Sequence, residues 1–123
     1  MITGIGTDIV SIERLSRALE HVAVRCFTPA ELAYAEKSRR RLEHLAGRWA
    51  AKEALAKALG CGFGEKCSWQ DIEILNDDAG RPVMTLTGCA LQTCHALGGV
   101  RWHLSISHEK EYATAFVIIE GEK

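Results

Sequence analysis

Residues 41–59 read R-L-E-H-L-A-G-R-W-A-A-K-E-A-L-A-K-A-L, and this run decides the fold. It holds one glycine, Gly47, no proline, and many alanines, the best helix formers. Leu42, Leu45, Trp49, Ala56 and Leu59 recur at helical spacing, which predicts a long helix with an apolar face. Gly60, Gly62 and Gly64 follow at once and end it in a loop. Upstream, Thr28-Pro29-Ala30-Glu31 is a capping box with proline at the first helical position, so another helix starts there. Before it, Ser11 caps a short helix that carries Ile12, Leu15 and Leu19 inward and Glu13, Arg14 and Arg17 outward. The opening M-I-T-G-I-G-T-D-I-V predicts a strand ending near Asp8.

After the glycines the period shortens to two. Residues 69–75 (W-Q-D-I-E-I-L) alternate as a strand, 76–82 form a turn, and 83–86 pair back as a hairpin. A short helix is expected at 90–97, a break at Gly98-Gly99, and strands at 101–107 and 114–119. The order of elements predicts an α+β domain, one long helix packed on a mostly antiparallel sheet.

A chain of 123 residues with 47% hydrophobic and 25% charged residues fits a single domain, 1–123, and excludes a disordered or collagen-like protein. No apolar run approaches the roughly 20 residues that span a bilayer, and the start lacks the basic head and apolar core of a signal peptide. A cytoplasmic protein with no membrane partner is expected. A chain this short buries only about two-thirds of its unfolded surface, so a site needing many groups is expected between copies. Cys26, Cys61, Cys67, Cys89 and Cys94 form an odd set without a C-x-x-C pair, which reads as reduced thiols and excludes a metal–thiolate site.

The net charge of −1 hides a split. Residues 37–57 hold Lys37, Arg39, Arg40, Arg41, Arg48, Lys52 and Lys57 against Glu43 and Glu53, a local surplus of five that leaves −6 elsewhere. Such a block marks either a local anionic ligand or a solvated helix face. His44, Arg48 and Lys52 are four apart and share one face, with Arg41 a turn earlier, a ridge suited to a row of phosphates. Glu53 lies about 100° around from Lys52, on the side of Trp49, and either pairs with Lys57 at i+4 or takes part in chemistry. Asp8, beside Gly4 and Gly6, either caps the following helix or joins Glu53 in holding a hard cation; Mg²⁺ takes one or two carboxylates plus phosphate oxygens.

In Ser105-Ile106-Ser107-His108 the two serines face one side of a strand and His108 the other, and no G-x-S-x-G is present, which disfavours a Ser–His hydrolase. His108 is either a plain turn histidine or a phosphate or ribose ligand. The negative net charge, the lack of a helix-turn-helix or RNA-binding motif and the lack of basic–aromatic interleaving argue against a nucleic-acid partner, and none is expected.

Four segments together resemble one family: G-I-G-T-D-I-V-S-I-E-R-L at 4–15, L-A-G-R-W-A-A-K-E-A-L-A-K-A-L-G at 45–60, W-Q-D-I-E-I at 69–74 and L-S-I-S-H-E-K-E-Y-A-T-A-F-V-I at 104–118. They are similar to the holo-acyl-carrier-protein synthases, the small bacterial type of 4′-phosphopantetheinyl transferase. The resemblance implies that fold, a homotrimer with coenzyme A between neighbouring subunits, and transfer of the 4′-phosphopantetheine arm to a serine of apo acyl carrier protein, releasing adenosine 3′,5′-bisphosphate. It implies Asp8 and Glu53 as Mg²⁺ ligands, Asp8, Lys52 and Glu53 as the catalytic set, and Arg48, Lys52 and His108 beside coenzyme A. Arg14 and Arg17 would meet the acidic carrier. One departure stands out: the family's longer, more basic stretch after the first helix is reduced here to H-V-A-V-R-C-F-T at 21–28, with Arg25 alone. The competing class is a coenzyme A or nucleotide-binding module without transferase activity, against which the intact Asp8, Lys52 and Glu53 argue.

Overall fold

Strand β1 (Ile2–Ser11) leads into helices α1 (Ile12–Cys26), α2 (Pro29–Glu36) and α3 (Arg41–Leu59) of a computed structural model that describes residues 1–122. The second half comprises β2 (Ile72–Asn76), β3 (Pro82–Leu86), α4 (Gly88–Ala96), β4 (Gly99–His108) and β5 (Tyr112–Gly121). β1, β5 and β4 make one antiparallel sheet in that spatial order, and β2 and β3 make a separate antiparallel hairpin. The Trp102 indole N–H donates to the Met84 carbonyl at 2.7 Å and ties the hairpin to β4. The α+β expectation holds, with two sheets in place of one. Among the described residues no helix is long and apolar enough to cross a membrane.

α3 is the centre of the molecule. Its alanines are buried on several sides rather than along one stripe, as befits a helix that other elements surround. A Cβ at Gly4 or Gly6 would collide with the Ala58 or Ala54 carbonyl, so α3 rests directly on the β1 backbone. A Cβ at Gly47 would meet Ile106 Cγ2 at 2.9 Å, so the same helix presses on β4. Gly60 adopts φ +74°, the left-handed conformation that glycine takes without strain, and stops the helix as expected. Leu42, expected inside, is exposed on the first turn.

Three local expectations are corrected. β1 runs on to Ser11, paired with Tyr112, which puts Asp8 in mid-strand; Ser11, not Asp8, caps α1 by accepting from the Arg14 amide. Residues 21–26 are the last turns of α1 rather than a connection. Trp69–Asp71 is a 3₁₀ turn, not strand. That turn lets the Gln70 amide donate to the carbonyls of Val24, Arg25 and Phe27 (3.0, 3.1 and 2.8 Å), satisfying the end of α1. The cysteines are all free; Cys26, Cys67 and Cys94 are buried, and burial pushes the Cys67 thiol up to about 12, that of an inert core residue.

Candidate active site

On β1 the side chains of even-numbered residues face α3, as the glycine contacts show, and Asp8 belongs to that set. Lys57, on the last turns of α3, donates from Nζ to Asp8 Oδ1 and to the Thr7 carbonyl, both at 3.0 Å. Glu53 stands one turn before Lys57, about 40° away around the helix. Burial, then the charge of Asp8, push the Glu53 carboxyl above its ordinary value, with Lys57 opposing in part. The sequence's alternative pairing of Glu53 with Lys57 is thus replaced by Lys57 on Asp8. Two carboxylates that repel each other in a half-buried notch suit a hard, oxygen-seeking cation. Among the described residues no group of three His, Cys, Asp or Glu side chains assembles a metal cage. A cation held by Asp8 and Glu53 therefore takes its remaining oxygens from water or substrate, the habit of Mg²⁺.

A second cluster occupies the opposite flank of α3. His44 and Glu53 are nine residues apart, as are Arg48 and Lys57, and nine residues rotate a helix by roughly half a turn beyond two full ones. The sheet repeats the separation, with Asp8 on the β1 edge and His108 on the β4 edge. A cleft of about 250 Å³ there is lined by Glu43, His44, Arg48, Asn76, Pro82 and His108 among others. Arg48 is buried, lies over the Tyr34 ring at 5.3 Å and donates to Asn76 Oδ1, yet its Nε has no partner. A buried donor left unsatisfied costs about 1–3 kcal/mol, and a guanidinium lining the cleft suits an anionic oxygen. His108 Nδ1 lies 3.2 Å from Glu43 Oε2. Burial, then the Arg48 charge, lower the His44 pKa, so His44 favours the neutral form. Ser105 and Ser107 point to the other face of the sheet from His108, so no Ser–His pair forms.

Lys52 requires a correction. Expected on an exposed phosphate ridge, it is wholly buried, because α2 and the 69–71 turn cover that face of α3. Its ammonium donates to Glu31 Oε1 at 2.7 Å, the Cys26 carbonyl at 2.8 Å and the Trp69 carbonyl at 3.0 Å, which uses all three protons. Burial pulls the Lys52 pKa down while Glu31 opposes. Lys52 is a strut between helices, and it does not reach either cluster.

The basic block is likewise dispersed. Arg41 pairs with Glu36 at 2.7 Å, Lys37, Arg39 and Arg40 are exposed at the α2–α3 turn, and Lys57 sits on Asp8. Lys57, read in the sequence only as part of the basic block and as a partner for Glu53, stands instead at Asp8. Its signal was available: position 57 shares the flank of Glu53, whereas position 52 does not. Arg14 and Arg17 are exposed on α1, Arg17 in a solvent-facing pair with Glu13.

The sequence and the fold match known proteins. A family model described as the 4′-phosphopantetheinyl transferase superfamily matches residues 4–117. A holo-[acyl-carrier-protein] synthase of Shewanella piezotolerans is 48% identical, over 98% of this chain and 100% of that protein. The solved holo-(acyl-carrier-protein) synthase of Bacillus anthracis, in complex with CoA (3′,5′-ADP), is similar with a TM-score of 0.84 and 40% identity over 99% of each chain. That of Neisseria meningitidis has a TM-score of 0.89 and 38% identity, over 98% of this chain and 99% of that one. The chain belongs to the 4′-phosphopantetheinyl transferase superfamily and, within it, to the holo-[acyl-carrier-protein] synthases.

Proposed function

We propose that the chain moves the 4′-phosphopantetheine arm of coenzyme A to a serine hydroxyl of an apo acyl carrier protein, with Mg²⁺, releasing adenosine 3′,5′-bisphosphate. The observation that carries this reading is the notch of Asp8, Glu53 and Lys57: two repelling carboxylates with one partly exposed ammonium beside them. When bound there, Mg²⁺ supplies charge neutralisation on the diphosphate. Asp8 and Glu53 hold and orient it. Lys57, rather than Lys52, is the lysine that can reach the phosphate oxygens. The serine oxygen forms the new bond to phosphorus and gives up its proton to solvent, as the bond from that phosphorus to the oxygen of the departing adenosine 3′,5′-bisphosphate breaks.

Arg48 and His108 would take the coenzyme's other phosphate end, Arg48 through its unpartnered Nε. In one chain α3 stands between this cleft and the Asp8 notch, so a coenzyme touching both needs two copies, the β1 edge of one against the β4 edge of the next. Such a contact is heterologous, the type that forms a ring where its rotation closes. The outer face of the three-stranded sheet supports an assembly: Ile5, Ile9 and Phe116 are 59%, 63% and 45% exposed. The number three, a homotrimer, comes from the family likeness.

The test is incubation with coenzyme A and an apo acyl carrier protein, read by intact mass of the carrier. The arm is expected on the carrier with Mg²⁺ and absent with a chelator. Coenzyme binding without transfer would favour the binding-module reading. In the same assay Arg14→Glu is expected to raise the carrier's KM and leave coenzyme binding unchanged, because Arg14 is exposed on α1 and belongs to neither cluster. An unchanged KM would remove α1 from the carrier's docking surface.

A further inference from the structure

We propose that Lys57 is a built-in stand-in for the metal: in the metal-free protein its ammonium holds the cation's place at Asp8, and the divalent ion must displace it to bind. This rests on the reading of Asp8 and Glu53 as the cation site. Nζ is held by two oxygens, Asp8 Oδ1 and the Thr7 carbonyl, both at 3.0 Å, the kind of oxygen ligands a hard cation uses at shorter range. The two partners differ in freedom. The Asp8 side chain is 15% exposed and fixed in mid-strand, whereas the Lys57 side chain is 55% exposed on a flexible four-carbon stem. Lys57 can therefore leave without any backbone movement.

The charge arithmetic gives the arrangement its use. Asp8 and Glu53 together carry two negative charges when ionised, and Lys57 offsets one of them while no cation is present. A divalent ion offsets both, after which the ammonium is repelled from the notch and free to meet an anion. Lys57 thus does two things in sequence. It keeps the carboxylate pair tolerable in the metal-free protein, and it becomes a phosphate ligand only once the metal is in place. The cost is a weaker metal site, since every binding event must break the Lys57–Asp8 contact.

The experiment is a Mn²⁺ titration, followed by electron paramagnetic resonance or calorimetry without substrate, on the wild type, Lys57→Met, Lys57→Gln and Asp8→Asn. Both Lys57 variants are expected to bind Mn²⁺ roughly 1.5- to 5-fold more tightly than the wild type, the worth of a partly exposed ion pair. Their metal-free Tm should fall, and Mn²⁺ should raise it by more than it does in the wild type. Equal or weaker Mn²⁺ binding by both Lys57 variants, with Asp8→Asn much weaker than the wild type, overturns the stand-in role and leaves the metal site standing. Asp8→Asn binding as tightly as the wild type overturns the metal site, and the stand-in role with it.

Discussion

Replacing Lys52 with methionine is expected to destabilise the protein by about 3–5 kcal/mol, the usual consequence of removing one partner from a buried ion pair. Glu31 has no route to water. Its Oε1 accepts from the Thr28 amide at 2.8 Å and from Lys52, and its Oε2 accepts from the Ile74 amide at 2.8 Å. One carboxylate thus joins the capping box of α2, the middle of α3 and strand β2. Without Lys52 that carboxylate is a buried charge with no directly bonded counter-ion, and the carbonyls of Cys26 and Trp69 lose their donor as well. Thermal unfolding followed by circular dichroism, at matched protomer concentration, should show a Tm drop of more than about 10 °C. Adding Glu31→Gln to the variant should recover part of the loss, since the stranded charge goes with it. A Lys52→Met protein of wild-type stability that has lost turnover would return Lys52 to the chemistry.

Glu53→Gln should show the opposite split. Transfer is expected to fall roughly 10²-fold or more, because a ligand to the neutralising cation is gone and no second carboxylate replaces it. In a chelator the same variant should melt higher than the wild type at neutral pH. The folded state raises the Glu53 pKa above its ordinary value, so the fold favours the protonated acid. The stability tied to Glu53 is complete below the unfolded carboxylate pKa and is lost as pH rises through the raised folded value. The variant's advantage should accordingly grow from acid to neutral pH. A Tm difference that runs the other way would mean that the fold does not disfavour the ionised Glu53.

Residues Arg41–Leu59 were legible from sequence because composition and stop signal agree: alanine favours the helix throughout and Gly60 takes the one conformation that ends it. The capping box at Thr28 was legible for a similar local reason, and both of its hydrogen bonds form. The 69–71 turn was hidden because its cause is distant. Gln70 serves carbonyls at the end of α1, more than forty residues earlier, and alternation in W-Q-D-I-E-I gives no sign of it. Lys52 was misassigned for a related reason. Helical spacing gives the angles among His44, Arg48 and Lys52, but which angles other elements cover depends on where α2 packs. Only the half-turn relation between the 44/48 pair and the 53/57 pair, present in the spacing all along, foretold that the two clusters would part.

That separation is the core of the account, and mixed oligomers test it most directly. Asp8→Asn and Arg48→Gln chains carrying different tags can be produced together and purified through both tags, so that every oligomer recovered contains both kinds. Each variant alone should transfer almost nothing to the carrier. In any mixed ring one junction of three joins an intact Asp8 notch to an intact Arg48 cleft, so the account predicts about a third of wild-type transfer by intact mass. Mixed oligomers no more active than the two variants measured separately would contradict it, and would require one chain to supply both clusters to the same coenzyme.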